Sequence, residues 1–239
     1  LIGVNAADYA IGSYFEDHET AEYKEALYNK TYKILDGMLR TLKRTFPDSI
    51  LIACCDTAGG TKFRRELYPS YKANRTVPKK ITHEQMKDLE ALYSEWGTQF
   101  IHIPEIEGDD AIYVTCKLLK EKDPKNFITI ISRDRDLLQV VQAGYADNQY
   151  DVSKKQMIEV PPYLVTEMKA MVGDTSDNIS GLPRVGEKTA LKYLTGMKQM
   201  TEEQKTIYEN NLNIIDASRH PRLKENIEAA KELLKSELL

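Results

Sequence analysis

Short apolar runs alternate, over the first two thirds of the chain, with stretches in which apolar residues recur every three or four positions. Residues 1–4, 50–55, 100–103 and 127–131 are apolar almost throughout. A strand with one wet face would alternate polar and apolar positions, so these runs read as strands covered on both faces, as in a parallel sheet. Between the first two runs, Tyr23, Leu27, Leu35, Met38, Leu39, Leu42 and Phe46 fall at helical spacing. Between the next two, Thr82, His83, Glu84 and Gln85 form a capping-box pattern, Met86, Leu89, Leu92 and Trp96 follow at helical spacing, and Gly97 is a stop signal. Repeated βαβ units with right-handed crossovers place helices on both faces and gather ligands at the carboxyl ends of the strands.

The pattern changes after Val152. A short extended stretch runs to Val160, Pro161 and Pro162 follow, and helical periodicity then continues around a glycine-containing segment at 173–186, with no further strand expected. The fold class is therefore α/β, a mainly parallel central sheet flanked by helices over residues 1–160, with a helical extension over residues 161–239. No apolar run approaches the about 18 residues that span a membrane, and the start carries no secretory-signal pattern. A soluble, cytoplasmic monomer is expected. The chain opens on Leu1 without a Met, so its natural start is expected a few residues upstream. Cys54, Cys55 and Cys116 suit small core residues of a reducing compartment, and His18, His83, His102 and His220 have no ligand spacing.

Net charge is −4, a weak argument against a nucleic-acid binder, but the charges are segregated by sign. Seven basic residues lie between Lys62 and Lys80 against the single acid Glu66. Asp56 ends the second expected strand, Glu107, Asp109 and Asp110 follow the third, and Asp134 and Asp136 follow the fourth. In a parallel sheet those ends share one edge, so the carboxylates converge, and such crowding is costly unless cations neutralise it. All-oxygen ligands favour Mg²⁺ or Mn²⁺. Two such ions ~4 Å apart suit phosphodiester hydrolysis, because they steady both the attacking and the leaving oxygen. Asp174 and Asp177, three apart, are placed to share one face of a turn.

After Asp56, cations interleave with aromatics: Phe63, Arg64, Arg65, Tyr68, Tyr71, Lys72 and Arg75. Cations serve phosphates, and aromatic faces serve unstacked bases. Gly181, Gly186, Lys188 and Thr189 look superficially like a P-loop, but an extra residue separates the second glycine from the lysine and no strand precedes them. A helical hairpin whose backbone N–H groups hold a DNA phosphate is the better reading.

Together the motifs resemble the 5′→3′ exonuclease family, which includes phage flap endonucleases and the N-terminal nuclease domain of bacterial DNA polymerase I. Tyr71-Lys72-Ala73-Asn74-Arg75, Glu107-Gly108-Asp109-Asp110, Ser132-Arg133-Asp134-Arg135-Asp136 and Gly173-Asp174-Thr175-Ser176-Asp177-Asn178 stand in the family's order, within about residues 1–197. The resemblance implies a PIN-like nuclease core and a helix–three-turn–helix at 163–197 that grips duplex backbone around a monovalent cation such as K⁺. It implies that Asp56, Glu107, Asp109 and Asp110 hold one metal ion, and that Asp134, Asp136, Asp174 and Asp177 hold or support a second. It gives Lys72 and Arg75 the scissile phosphate, Tyr71 the unpaired terminal bases, and Arg64, Gly181, Gly186, Lys188 and Thr189 further DNA contacts. A segment at 76–97 would arch over the 5′ strand.

One position departs from the pattern. The family's first strand ends in a metal-binding Asp, and Gly3 stands in that place. The expected function is a metal-dependent, structure-selective 5′-nuclease of DNA replication or repair, with activity reduced by Gly3. The alternatives are a domain that holds branched DNA without efficient cleavage and a small single-stranded RNase, although such RNases are shorter and lack the hairpin.

Overall fold

Helix α1 (Ala21–Thr45) starts where Thr20 accepts a hydrogen bond from the Tyr23 amide at 3.2 Å, and it buries Tyr23, Leu27, Thr31, Leu39 and Leu42 as one stripe. In the computed structural model the described residues are 14, 20–75 and 83–234. The expected strand at residues 1–4, with Gly3, lies outside them, as do Thr82 of the capping-box pattern and Lys79 and Lys80 of the basic run. The chain divides into two compact units, Leu1–Ala53 with Thr76–Gln99, and Cys54–Arg75 with Phe100–Leu239.

In the first unit α1 contacts α2 (His83–Glu95). The Tyr28 hydroxyl donates to Asp88 at 3.2 Å, Leu89 and Leu92 are buried, and Gly97, at φ 73°, ends the turn beyond the helix. Strands β1 (Ile52–Cys54) and β2 (Gln99–Ile101) pair. Their flanking bonds run from the Gln99 amide to Leu51 at 2.9 Å, within the first unit, and from the Cys55 amide to Ile101 at 3.1 Å, within the second.

In the second unit α3 (Lys62–Leu67) follows β1, and α4 (Gly108–Lys122) follows β2. Helix α4 buries residues nearly all round, including Tyr113, Val114, Cys116, Leu118 and Leu119, as befits a core helix. Strand β3 (Thr129–Ile131) pairs in parallel with β4 (Asn148–Asp151), which pairs antiparallel with β5 (Gln156–Met157). Between β3 and β4 lie a 3₁₀ turn, Arg135–Leu137, and α5 (Leu138–Gln142). Each of the three described runs thus contributes to a three-residue strand, β2 starting one residue ahead of its run.

Beyond β5 come α6 (Val165–Val172), α7 (Glu187–Leu194), α8 (Glu202–Ile215) and α9 (Leu223–Leu233). Met168, Met171, Leu182, Val185, Ala190 and Tyr193 form the core of the α6–α7 hairpin, while α9 packs on α4. Strand β5 falls in the extended stretch expected up to Val160, while the expectation of no strand beyond it is corrected by a two-stranded antiparallel ladder, β6 (Gly173–Asp174) with β7 (Ile179–Ser180). Its cause is backbone proximity. Gly173 sits at φ +88°, and a Cβ on Gly181 would lie 2.2 Å from the Val172 carbonyl oxygen, so only glycines allow the chain to cross there.

Candidate metal and nucleic-acid site

The second unit carries the acids. Asp56, just past β1, accepts from the Gly108 amide at 2.8 Å, which ties it to the start of α4. Asp109 and Asp110 occupy the first turn of α4, where the helix dipole favours negative charge. Beyond β3 the Asp134 amide donates to Ser132 Oγ at 3.1 Å, and Asp134 Oδ1 accepts from the Asp136 amide at 3.0 Å, capping the 3₁₀ turn. Asp174 follows the end of α6, and its Oδ1 accepts from the amide and the hydroxyl of Ser176 at 2.8 and 2.7 Å.

Two motifs a hundred residues apart are locked together. The Lys72 amide donates to the Asp177 carbonyl at 2.9 Å, Asn74 Nδ2 to the Thr175 carbonyl at 2.8 Å, and Asn178 Nδ2 to the Ser70 carbonyl at 2.7 Å. The turn that bears Lys72 and Arg75 is thereby held against the loop that bears Asp174 and Asp177. Lys72 and Asn178 themselves adopt left-handed backbone, at φ 54° and 58°.

Carboxylate oxygens of Asp136, Asp174 and Asp177 all lie within 4.8 Å of one another. Lys169, from α6, pairs with both Asp136 and Asp174, and Arg75 pairs with Asp177. Glu107 receives the Lys72 ammonium, the Tyr71 hydroxyl at 3.0 Å and Arg64 Nη1 at 2.6 Å. Asp110 receives both terminal nitrogens of Arg64, at 2.6 and 2.7 Å.

These surroundings shift the acids in different directions. Loss of hydration, reinforced by Asp134, Asp56 and Glu107 against the opposing pull of Lys72, pushes Asp109 up to about 7 although part of its surface stays open to solvent. Burial also raises Asp136, against Lys169. Burial works in the same sense on Asp174, but Lys169 and the Ser176 hydrogen bonds outweigh it and hold that carboxyl below its ordinary value.

Three of the expected site residues lie in buried contacts. Arg64, expected at the DNA surface, is only 5% exposed: its guanidinium is spent on Glu107 and Asp110, and its Nε donates to the Ile214 carbonyl at 2.8 Å. Tyr71, expected to stack on unpaired bases, is 4% exposed and packs with Ile179 and Ile214, so its ring face is not on offer. Asp110, expected as a metal ligand, is buried with both oxygens bonded to Arg64.

In the hairpin, Gly181 serves the close crossing under β6–β7, where a Cβ would meet the Val172 carbonyl. Gly186 caps α7 with open space around it, Lys188 is exposed, and the Thr189 amide is taken by the Gly186 carbonyl at 2.9 Å. Lys169 is the functional candidate that sequence reasoning missed, because a lone lysine in an amphipathic helix carries no signal.

An all-oxygen set at this spacing fits a hard divalent cation. Asp136, Asp174 and Asp177 form one such set, and Asp109 stands among Asp56, Glu107 and Asp134 in a second acidic surround.

Residues 2–168 match the family model described as the 5′-3′ exonuclease N-terminal resolvase-like domain, and residues 160–238 match the 5′-3′ exonuclease C-terminal SAM fold. DNA polymerase I of Streptococcus pneumoniae (strain ATCC BAA-255 / R6) is 35% identical over 205 residues, covering 80% of this chain and 22% of the relative. A 5′-3′ exonuclease of Buchnera aphidicola subsp. Baizongia pistaciae is 33% identical over 195 residues, 73% of this chain and 64% of that protein. The chain therefore spans about a fifth of the length of its DNA polymerase I relatives. Among solved structures, a bacteriophage T5 flap endonuclease in a pseudo-enzyme–product complex with DNA and metal ions aligns with a TM-score of 0.59 at 16% identity, over 93% of this chain and 95% of that one. A T5 5′-exonuclease with divalent zinc bound aligns with the same TM-score and identity over 97% of each chain. At such low identity these matches speak for the fold. No described helix is long and apolar enough to cross a membrane. With both domain models in order from residue 2 to residue 238, and relatives a third identical over most of its length, the chain belongs to the 5′-3′ exonuclease family.

Proposed function

We propose that this chain is a divalent-metal-dependent, structure-selective 5′-nuclease that hydrolyses phosphodiester bonds near 5′ ends or flaps of DNA in replication or repair. The observation that carries the reading is the convergence of Asp136, Asp174 and Asp177 beside a turn that presents Lys72 and Arg75. Asp136, Asp174 and Asp177 would hold one Mg²⁺ or Mn²⁺, and Asp56, Glu107, Asp109 and Asp134 a second. Bound ions of this kind supply Lewis-acid charge at a phosphate oxygen and make water more acidic.

The chain's own residues do the rest. Lys72 and Arg75, now paired with Glu107 and Asp177, take the scissile phosphate when it arrives. Arg64 fixes Glu107, and the Tyr71 hydroxyl donates to Glu107 at 3.0 Å with Asp177 farther off at 3.4 Å. The start of α7, with Gly186 and Lys188, takes a duplex phosphate, and K⁺ in that hairpin belongs to the same reading.

Incubation with a labelled 5′-flap, with and without Mg²⁺, tests the proposal: cleavage near the junction only with metal is expected, and no cleavage with either Mg²⁺ or Mn²⁺ overturns it. A second reading rests on Gly3, which lies outside the described residues and stands where the family carries an Asp. In that reading DNA is bound tightly and cut slowly.

A further inference from the structure

Lys169 lies in the last turn of α6, and its carbonyl accepts the Gly173 amide that ends the helix. Its backbone is thus fixed by the same cap that starts the strand bearing Asp174. Its ammonium contacts Asp136 and lies 2.5 Å from Asp174 Oδ2, with the side chain only 20% exposed. Asp174 Oδ1 is already engaged by Ser176, so Oδ2 is the oxygen left for a cation. Asp177 completes the group, its own oxygen within 4.8 Å of the others.

A positive charge of the chain's own therefore bridges two members of the donor set. Lysine suits such a post because its ammonium is a compact point charge on a flexible four-carbon stem, free to swing aside without disturbing a planar bidentate pair. A divalent ion that enters the group meets a like charge a few ångströms away.

We propose that Lys169 is a built-in counter-cation for the Asp136–Asp174–Asp177 group: it neutralises these acids in the metal-free chain, gives way when a divalent ion enters, and so sets the affinity of that group for metal. This rests on the metal-binding part of the function proposed above. Lys169 acts through the ligands and is a positioning residue rather than a catalytic one.

Manganese titration of the full, chelator-treated chain by calorimetry, paired with melting curves, tests it. Lys169→Met is expected to tighten Mn²⁺ binding by roughly tenfold or more, since a like charge is removed from contact range. The same variant should melt lower without metal, because the acids lose their partner, and should gain more from Mn²⁺ than the parent chain does. Lys169→Arg keeps the charge and should bind Mn²⁺ no more tightly than the parent, which preserves the test if the Met variant does not fold.

Unchanged or weaker Mn²⁺ binding by Lys169→Met overturns the proposal, as does an equal fall in melting temperature with and without Mn²⁺, the mark of an ordinary structural ion pair. Tighter binding by Lys169→Arg overturns it too. No Mn²⁺ uptake by parent or variants overturns it together with the metal-site reading, whereas tighter uptake by Lys169→Met supports it even if flap DNA is never cut.

Discussion

Six acids of the second unit fall into two groups that meet their like-charge repulsion differently. Asp136, Asp174 and Asp177 are paired with side-chain cations, Lys169 and Arg75. Asp56 and Asp134 lean on backbone amides, and Asp109 beside them is pushed up to about 7. The first group has its compensating charge within the chain. In the second, Lys72 opposes only part of the crowding on Asp109, so an added positive charge there would relieve repulsion.

The largest effect is expected at the buried cation that holds the neighbouring acids Glu107 and Asp110. Arg64→Met leaves Asp110 and Glu107 buried without their main partner, and breaking such a pair costs about 3–5 kcal/mol. Urea denaturation should show that loss, and a change below about 1 kcal/mol would mean that the two acids rearrange to solvent. Next in size is the position outside the described residues: Gly3→Asp is expected to raise the rate of flap cleavage by up to about 10²-fold, by restoring a positioning charge, with the DNA dissociation constant nearly unchanged. Single-turnover kinetics beside a binding titration separates the two, and no gain in rate removes Gly3 from the account.

Smaller again, Gly181→Ala should destabilise the protein by about 1–3 kcal/mol, because its Cβ meets the Val172 carbonyl under the strand that bears Asp174. Thermal melting reads that loss. A lower Mn²⁺ affinity should accompany it if the ladder places the group. The smallest effect sharpens the other side of the contrast. Asp109→Asn relieves crowding and should slightly raise metal-free stability, by under about 1 kcal/mol because the group keeps contact with solvent, while reducing the stabilisation that Mg²⁺ brings. A fall in metal-free stability would show that Asp109 is held by a favourable partner after all.

Much of this was legible locally. The stripe on α1 follows from spacing, since Tyr23, Leu27, Leu39 and Leu42 lie on one face of a helix whatever the rest of the chain does. The acidic motifs at strand ends and the Gly173–Asn178 segment were legible too, because each is a short run of chemistry in a recognisable order. Long-range pairing was not. Arg64 sits in a basic run and reads as a surface residue, yet its partners lie 43, 46 and 150 positions away. Tyr71 among cations reads as a base-stacking platform for the same reason, and its burial comes from Ile179 and Ile214. The β6–β7 ladder escaped because two glycines read as loop, whereas here they permit a close backbone crossing.

The central claim, that these carboxylates form a divalent-metal site, is tested most directly by anomalous diffraction from crystals of the chain soaked in Mn²⁺. The account predicts a Mn²⁺ peak among the carboxylate oxygens of Asp136, Asp174 and Asp177, with the Lys169 ammonium withdrawn from Asp136 and Asp174. Anomalous peaks confined to scattered surface carboxylates or histidines, with Lys169 still in place between its two acids, would contradict it.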